Sequence, residues 1–221
     1  MRIVATSDTH MPVDTSREAG MIPDGDVFIH AGDLMTTGYP DDWQRQIAWL
    51  KLLPHKIKLF VPGNHDFHLQ VYPGPALQEM RAAGVWVIGL PGNNNYSTYK
   101  LPNSMTVVGF PGVIDLPRWA FNSREIDIAA HLRSFDRCDI VVSHSPIYSI
   151  LDKANDGRNG GIAAYQYYLR KHHPLHWIHG HIHEQYGEQL FLKDGFSTTI
   201  HNVAMCNRSF QQVNPPVIID L

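Results

Sequence analysis

The chain has 221 residues, 43% of them apolar and 18% charged, with a formal charge of −3. That length supports a substantial core, and the composition excludes a disordered or low-complexity protein. The near-balanced charge excludes a dominant nonspecific attraction to nucleic acid or to an acidic membrane surface, and two cysteines without CxxC spacing give no sign of a thiolate zinc site or a disulfide framework.

MRIVATSDTH opens the chain with neither a long apolar segment nor a small-residue cleavage site, and no later run approaches a membrane span. The expectation is a cytoplasmic protein without a membrane partner. Short β-branched or apolar runs that stop at polar, glycine-rich residues predict strands. In chain order they are IVATSDTH from Ile3, DVFIHAGD from Asp26, KIKLFVPGNHD from Lys56, VWVIGLPG from Val85 and MTVVGFPG from Met105. DIVVSHSP from Asp139, LHWIHGHIH from Leu175, STTIHNVAM from Ser197 and PVIIDL from Pro216 complete the series.

Helical spacing lies between them. Trp43, Ile47 and Leu50 form one apolar face, capped by Asp41 and Asp42 and stopped by Pro54. Leu77 to Ala83, opened by Pro75 and closed by Gly84, predicts a short helix. Ile128, Leu132 and Phe135 form a face behind Ser123 as N-cap, and Ile162, Tyr165 and Leu169 form another. Pro91 to Pro102 reads as a loop with a hairpin. Strands and helices alternate early and strands cluster later, which argues for an α/β layered fold with mixed sheets. With no repeat and no linker, residues 1–221 read as one domain.

Fourteen histidines stand against 18 lysines and arginines together, and their placement is informative. The strand ends carry Asp8 and His10, Asp33, Asn64 to Asp66, His144, and His181 with His183. In extended chain, residues i and i+2 share a side, so Asp8 with His10, and His181 with His183, are each expected to offer two ligands to one point. The Gly63-Asn64 pair reads as a left-handed turn closing its strand. Singly, each element has a plainer reading: Asp-x-His as a turn with a capping aspartate, Gly32-Asp33 as a turn pair, His144 as a core histidine. Five groups together point to a metal site, and oxygen and imidazole donors without thiolate suit Mn, Fe or Zn.

The ordered set Asp8-x-His10, Gly32-Asp33, Gly63-Asn64-His65-Asp66, His144 and Gly180-His181-x-His183 resembles the calcineurin-like metallophosphoesterase superfamily. HAGD at 30 to 33, WAFN at 119 to 122, GHIHEQYG at 180 to 187 and the ending Pro215 to Leu221 resemble its small branch of metallophosphoesterase-domain-containing brain proteins. The resemblance implies a four-layer α/β/β/α sandwich of two mixed β-sheets flanked by helices. It implies two divalent metal ions, Mn2+ first and Fe or Zn as alternatives. Asp8, His10, Asp33 and His183 would hold one metal, and Asp33, Asn64, His144 and His181 the other. His65 would act as the catalytic acid over the phosphate, with Asp66 orienting its ring.

The implied reaction is hydrolysis of small phosphodiesters, cyclic nucleotides among the candidates, by attack of a hydroxide bridging the metals. A phosphomonoesterase or protein phosphatase, and a non-catalytic metal-binding module, are the alternatives. Two departures stand out: Ser145, where the branch usually has glycine, and GFPGVIDLP at 109 to 117, which lacks the Trp-Gln-Pro often found before WAFN.

The loop Asp152 to Gly161 reads either as a substrate gate, offering Arg158 to a second phosphate or a base, or as a merely solvated loop. Tyr165, Tyr167 and Tyr168 read as packing residues. His30, His55, His68, His131, His172, His173, His176, His179 and His201 are expected mostly at the surface or behind the site. His179 is favoured as a core residue, and His201 with Asn202 is expected nearest the centre. Basic residues are scattered, so no nucleic-acid groove is expected.

Overall fold

The structure is a computed structural model that describes residues 1–10, 16, 19–36, 38–90 and 98–221. Its strands are β1 (Arg2–Thr6), β2 (Val27–His30), β3 (Ile57–Phe60), β4 (Val85–Val87), β5 (Thr98–Lys100), β6 (Thr106–Phe110), β7 (Ile140–Ser143), β8 (His176–His179), β9 (Gly187–Lys193), β10 (Phe196–Asn202) and β11 (Val217–Asp220). The helices are α1 (Pro40–Leu52), α2 (Phe67–Val71), α3 (Pro73–Ala82), α4 (Glu125–Leu132) and α5 (Ala163–His172).

Strand alternation separates the apolar residues into layers. Ile3, Ala5, Val27 and Ile29 face inward against Val107, Ile140, Val142 and Ile178, forming the core between two sheets. Val4 and Phe28, one residue out of phase, face outward and pack with Trp43, Ile47 and Leu50 of α1. On the far side Val141, Trp177 and Ile200 pack with Tyr165, Tyr168 and Leu169 of α5. The result is the expected helix, sheet, sheet, helix order. One sheet runs β11-β1-β2-β3-β4 and the other β5-β6-β7-β8-β10-β9. β1 to β4 are parallel with β11 antiparallel, while β6, β7, β8 and β10 are parallel with β5 and β9 antiparallel at the edges.

Several boundaries differ from expectation. α1 starts at Pro40 with Tyr39 as N-cap, so Asp41 and Asp42 lie in its first turn, where they complement the helix dipole. Its far end is tied down by Lys58 of β3, whose Nζ donates to Leu50 O at 2.7 Å. α4 has Arg124, not Ser123, at its N-cap and ends at Leu132, leaving Phe135 beyond the helix. The hairpin expected within Pro91 to Pro102 lies further along, where β5 pairs with β6 across residues 101–105, while residues 91–97 lie outside the described residues. β9 was not expected. No helix among the described residues is long and apolar enough to cross a membrane.

Candidate metal centre

The parallel strands of both sheets end on one side of the molecule, and the loops beyond them bring the histidines and aspartates together. Among the described residues three groups have ligand atoms within 4.8 Å of one another: Asp8, His10 and His183; His10, Asp33 and His65; Asp33, His144 and His181. Asp33 belongs to two of them. His144 Nε2 lies 3.4 Å from Asp33 Oδ1 and 3.0 Å from Asn64 Oδ1. His183 Nε2 lies 3.3 Å from Asp8 Oδ1 and 3.3 Å from His10 Nε2. All seven residues expected as ligands are thus assembled at one centre.

The backbone route differs from the expected pleat. Asp8 and His10 have φ of 50° and 45°, so the Asp-x-His pair converges through left-handed turns after β1 has ended. His181 has φ of 69° and His183 opens a short 3-10 turn, which sends the two rings to different groups rather than to one point. Asn202 fixes that turn by donating to Ile182 O at 2.8 Å. Asp33 is left-handed too, while Gly63 and Asn64 are not. Gly63 is required for space instead: a Cβ there would sit 2.3 Å from Asp33 Oδ1. One on Gly180 would sit 2.1 Å from Asp8 Oδ2.

Residues 1–185 match the calcineurin-like phosphoesterase family. The chain belongs to that family. It is 29% identical over 240 residues to metallophosphoesterase domain-containing protein 1 of Homo sapiens, covering 100% of this chain and 71% of the human one. Among solved structures it resembles TT1561 of Thermus thermophilus, with a TM-score of 0.57 and 15% identity over 91% of this chain and 89% of that one. It also resembles GAP50, the anchor in the inner membrane complex of Plasmodium, with a TM-score of 0.51 and 12% identity over 91% of this chain and 71% of that one.

The family usually binds two divalent metals, and the donor set fits them. His10, His65, His144 and His183 each donate Nδ1–H to a main-chain carbonyl, of Met35 at 3.1 Å, Thr36 at 2.6 Å, Ala31 at 2.9 Å and Asn207 at 3.0 Å. A carbonyl only accepts, so each ring turns an Nε2 lone pair toward the carboxylates, the orientation that metal-ligating imidazoles take. Lone pairs of His10 and His183 facing each other at 3.3 Å, beside Asp8, require a positive charge between them. Without a metal, protons answer that demand. Burial pulls His144 and His183 down, but Asp33 and Asp8 respectively outweigh it and raise each to about 9. Burial likewise opposes charge on Asp8 and Asp33, yet the histidines hold both well below the usual carboxylate range. Burial lowers His10 to about 4 and His181 to about 3.

Asp66 does not orient the His65 ring. The Thr36 carbonyl does that, while the fully buried Asp66 carboxylate accepts four backbone N–H groups, from Gly63 at 2.7 Å, Asp33 at 3.0 Å, Leu34 at 3.0 Å and Met35 at 3.1 Å. It therefore laces the β2 and β3 loops together and sets where Asp33 and Asn64 stand. Burial and the Asp33 charge push its pKa up, to about 7, against those donors.

A cleft of about 370 Å³ opens over the centre, lined among others by Asn64, His65, His181, His183, Arg208 and Phe210. A second hollow of about 340 Å³ adjoins it and includes Arg158. The exposed Trp119 ring stacks obliquely on His65, centroids 4.3 Å apart, and Phe210 meets His10 edge-on at 4.6 Å. Arg208 and Phe210 went unnoticed in the sequence because they follow no strand-end motif; the only signal was position, two and four residues past the buried Cys206. Of the set-aside histidines, His30, His55, His179 and His201 are buried, His179 in the core as expected. His201 pairs with His176 at 3.1 Å away from the metal groups. Tyr165 and Tyr168 are buried in the core as expected, and Tyr167 is exposed.

Proposed function

We propose that the chain is a dinuclear metal-dependent phosphodiesterase acting on small diesters, with cyclic nucleotides among the candidates. The observation that carries this reading is the set of inward Nε2 lone pairs, each fixed by its own carbonyl, around two buried carboxylates. Asp8, His10, Asp33 and His183 are assigned to one metal and Asp33, Asn64, His144 and His181 to the other, with Asp33 shared. Mn2+ is the proposed ion, with Fe or Zn also matching the oxygen and nitrogen donors. Two such cations would supply an activated water near neutral pH and neutralise phosphoryl oxygens.

The chain's own residues do the remaining work. The His65 backbone N–H donates to Asp33 Oδ1 at 2.8 Å, holding that carboxylate in its shared position. The His181 N–H holds Asp8 Oδ2 at 3.0 Å in the same way. Asn64 is neutral, so it ligates without cancelling positive charge. His65 is the proposed catalytic acid: with Nδ1–H held by Thr36 O, its imidazolium form donates from Nε2 to the departing alkoxide. Asp66, proposed from the sequence as catalytic, is assigned a positioning role through the loops. Residues 1–221 are taken as one catalytic domain, and two cysteines without CxxC spacing favour the cytoplasm as its compartment.

The test is hydrolysis of bis-p-nitrophenyl phosphate and p-nitrophenyl phosphate by Mn-reconstituted protein beside Asp33→Asn and His65→Ala. The expected outcome is faster diester than monoester turnover, a loss of at least about 100-fold in His65→Ala, and loss of metal as well as activity in Asp33→Asn. Preferred monoester turnover would transfer the reading to a phosphatase. No turnover of either ester by protein carrying two metals would leave a binding module.

A further inference from the structure

We propose that Arg208 forms a second anion subsite in the cleft, so that the substrate carries a non-reacting negative group beyond the phosphoryl at the metals. This inference rests on the phosphoesterase reading of the centre and narrows its substrate class. Two arginines border the paired hollows. Arg158, the one singled out in the sequence, is committed elsewhere: its Nη2 lies 2.6 Å from Asp156 Oδ2 and its Nε donates to the same oxygen at 2.7 Å. Arg208 lines the cleft over the centre, and among the described residues no carboxylate reaches it.

Its backbone is held in register with a proposed ligand. Asn207 O accepts the Nδ1–H of His183 at 3.0 Å, so Arg208 is bonded in sequence to the residue that orients a proposed ligand. The loop around it closes on itself. Asn207 Oδ1 accepts the N–H groups of Ser209 at 2.9 Å and Gln211 at 3.1 Å, and Asn207 N–H donates to Gln211 O at 2.8 Å. Gln212 Nε2 then anchors the segment to Thr9 O, between Asp8 and His10, at 3.3 Å. A fixed backbone with an uncommitted guanidinium suits a carboxylate or phosphate, which the planar donor fork can take in bidentate fashion. Glu184 and Asp156 also line the cleft, and Asp156 is paired with Arg158.

The experiment measures Kd by calorimetry for phenylphosphonate and 4-carboxyphenylphosphonate on Mn-loaded wild-type protein, Arg208→Gln and Arg158→Gln. Both probes present a phosphonate to the metals and differ only in a remote carboxylate. The expected result is about tenfold tighter binding of the carboxylated probe to wild type and to Arg158→Gln, a ratio that falls to about one in Arg208→Gln. Equal affinities in wild type, or an unchanged ratio in Arg208→Gln, would overturn the subsite while leaving the metal centre standing. Failure of phenylphosphonate itself to bind metal-loaded protein would instead overturn the phosphoesterase reading, and the subsite with it.

Discussion

At the scale of single residues, the two neighbours His65 and Asp66 separate chemistry from architecture. Side by side in GNHD, they invite pairing of ring and carboxylate, but the structure turns them to different partners: the ring to Thr36 O, the carboxylate to four N–H groups. Asp66→Asn puts an amide donor where an acceptor-only group met four donors. The expected cost is about 2–4 kcal/mol in urea unfolding of the metal-free protein, because buried donors lose their acceptor. Metal affinity should fall with it, since Asp33 N–H and Gly63 N–H are among those released. The pH dependence of residual turnover should stay as in wild type, because the His65 ring keeps its own partner; a shifted alkaline limb in Asp66→Asn would show that the carboxylate does act on the ring.

At the scale of elements, strand ends were legible and turn conformations were not. Nine apolar runs marked nine strands, because burial of both faces leaves little room for polar residues. β9 escaped notice since its edge position leaves Leu190 and Leu192 exposed among Glu188, Gln189 and Lys193, without a clean alternation. Its turn did carry a signal: Asp194-Gly195 has φ of 50° and 81°, the residue pair and conformation of a tight hairpin. The ligand residues were legible for the same reason as the strands, but their convergence through left-handed Asp8, His10, Asp33 and His181 depends on long-range partners that spacing does not reveal. Gly195→Ala isolates the hairpin. A Cβ there meets nothing within 4 Å, so only backbone strain remains, about 1 kcal/mol. Thermal unfolding should drop by about 2–4 °C with metal content unchanged, since the turn precedes Phe196, at the end of β10 opposite Asn202. A loss of metal in Gly195→Ala would mean that the hairpin governs the centre.

At the scale of the whole molecule, burial of histidine sets the response to pH, and metal removes it on one side. His30, His179 and His201 lie in the interior, and burial lowers them to about 3, about 4 and about 4. The unfolded chain binds protons at these sites that the folded chain refuses, so their contribution is complete above pH 6.5. It is lost as pH falls toward 4, at up to about 1.4 kcal/mol per pH unit for each. His144 and His183 in the metal-free protein run the other way. Raised to about 9 by Asp33 and Asp8, they hold protons that the unfolded chain has released. Their contribution is complete below pH 6.5 and is lost as pH rises through 9. Metal-free protein should therefore be most stable near pH 6.5, with urea midpoints falling on both sides. Bound divalent cations replace those two protons, so addition of Mn2+ should flatten the alkaline limb between pH 6.5 and 9 while leaving the acidic one in place. An alkaline limb between pH 7 and 9, above the range in which the raised Asp66 carboxyl titrates, that persists in metal-loaded protein would mean that the cations do not occupy the space between His183 and Asp8 or between His144 and Asp33.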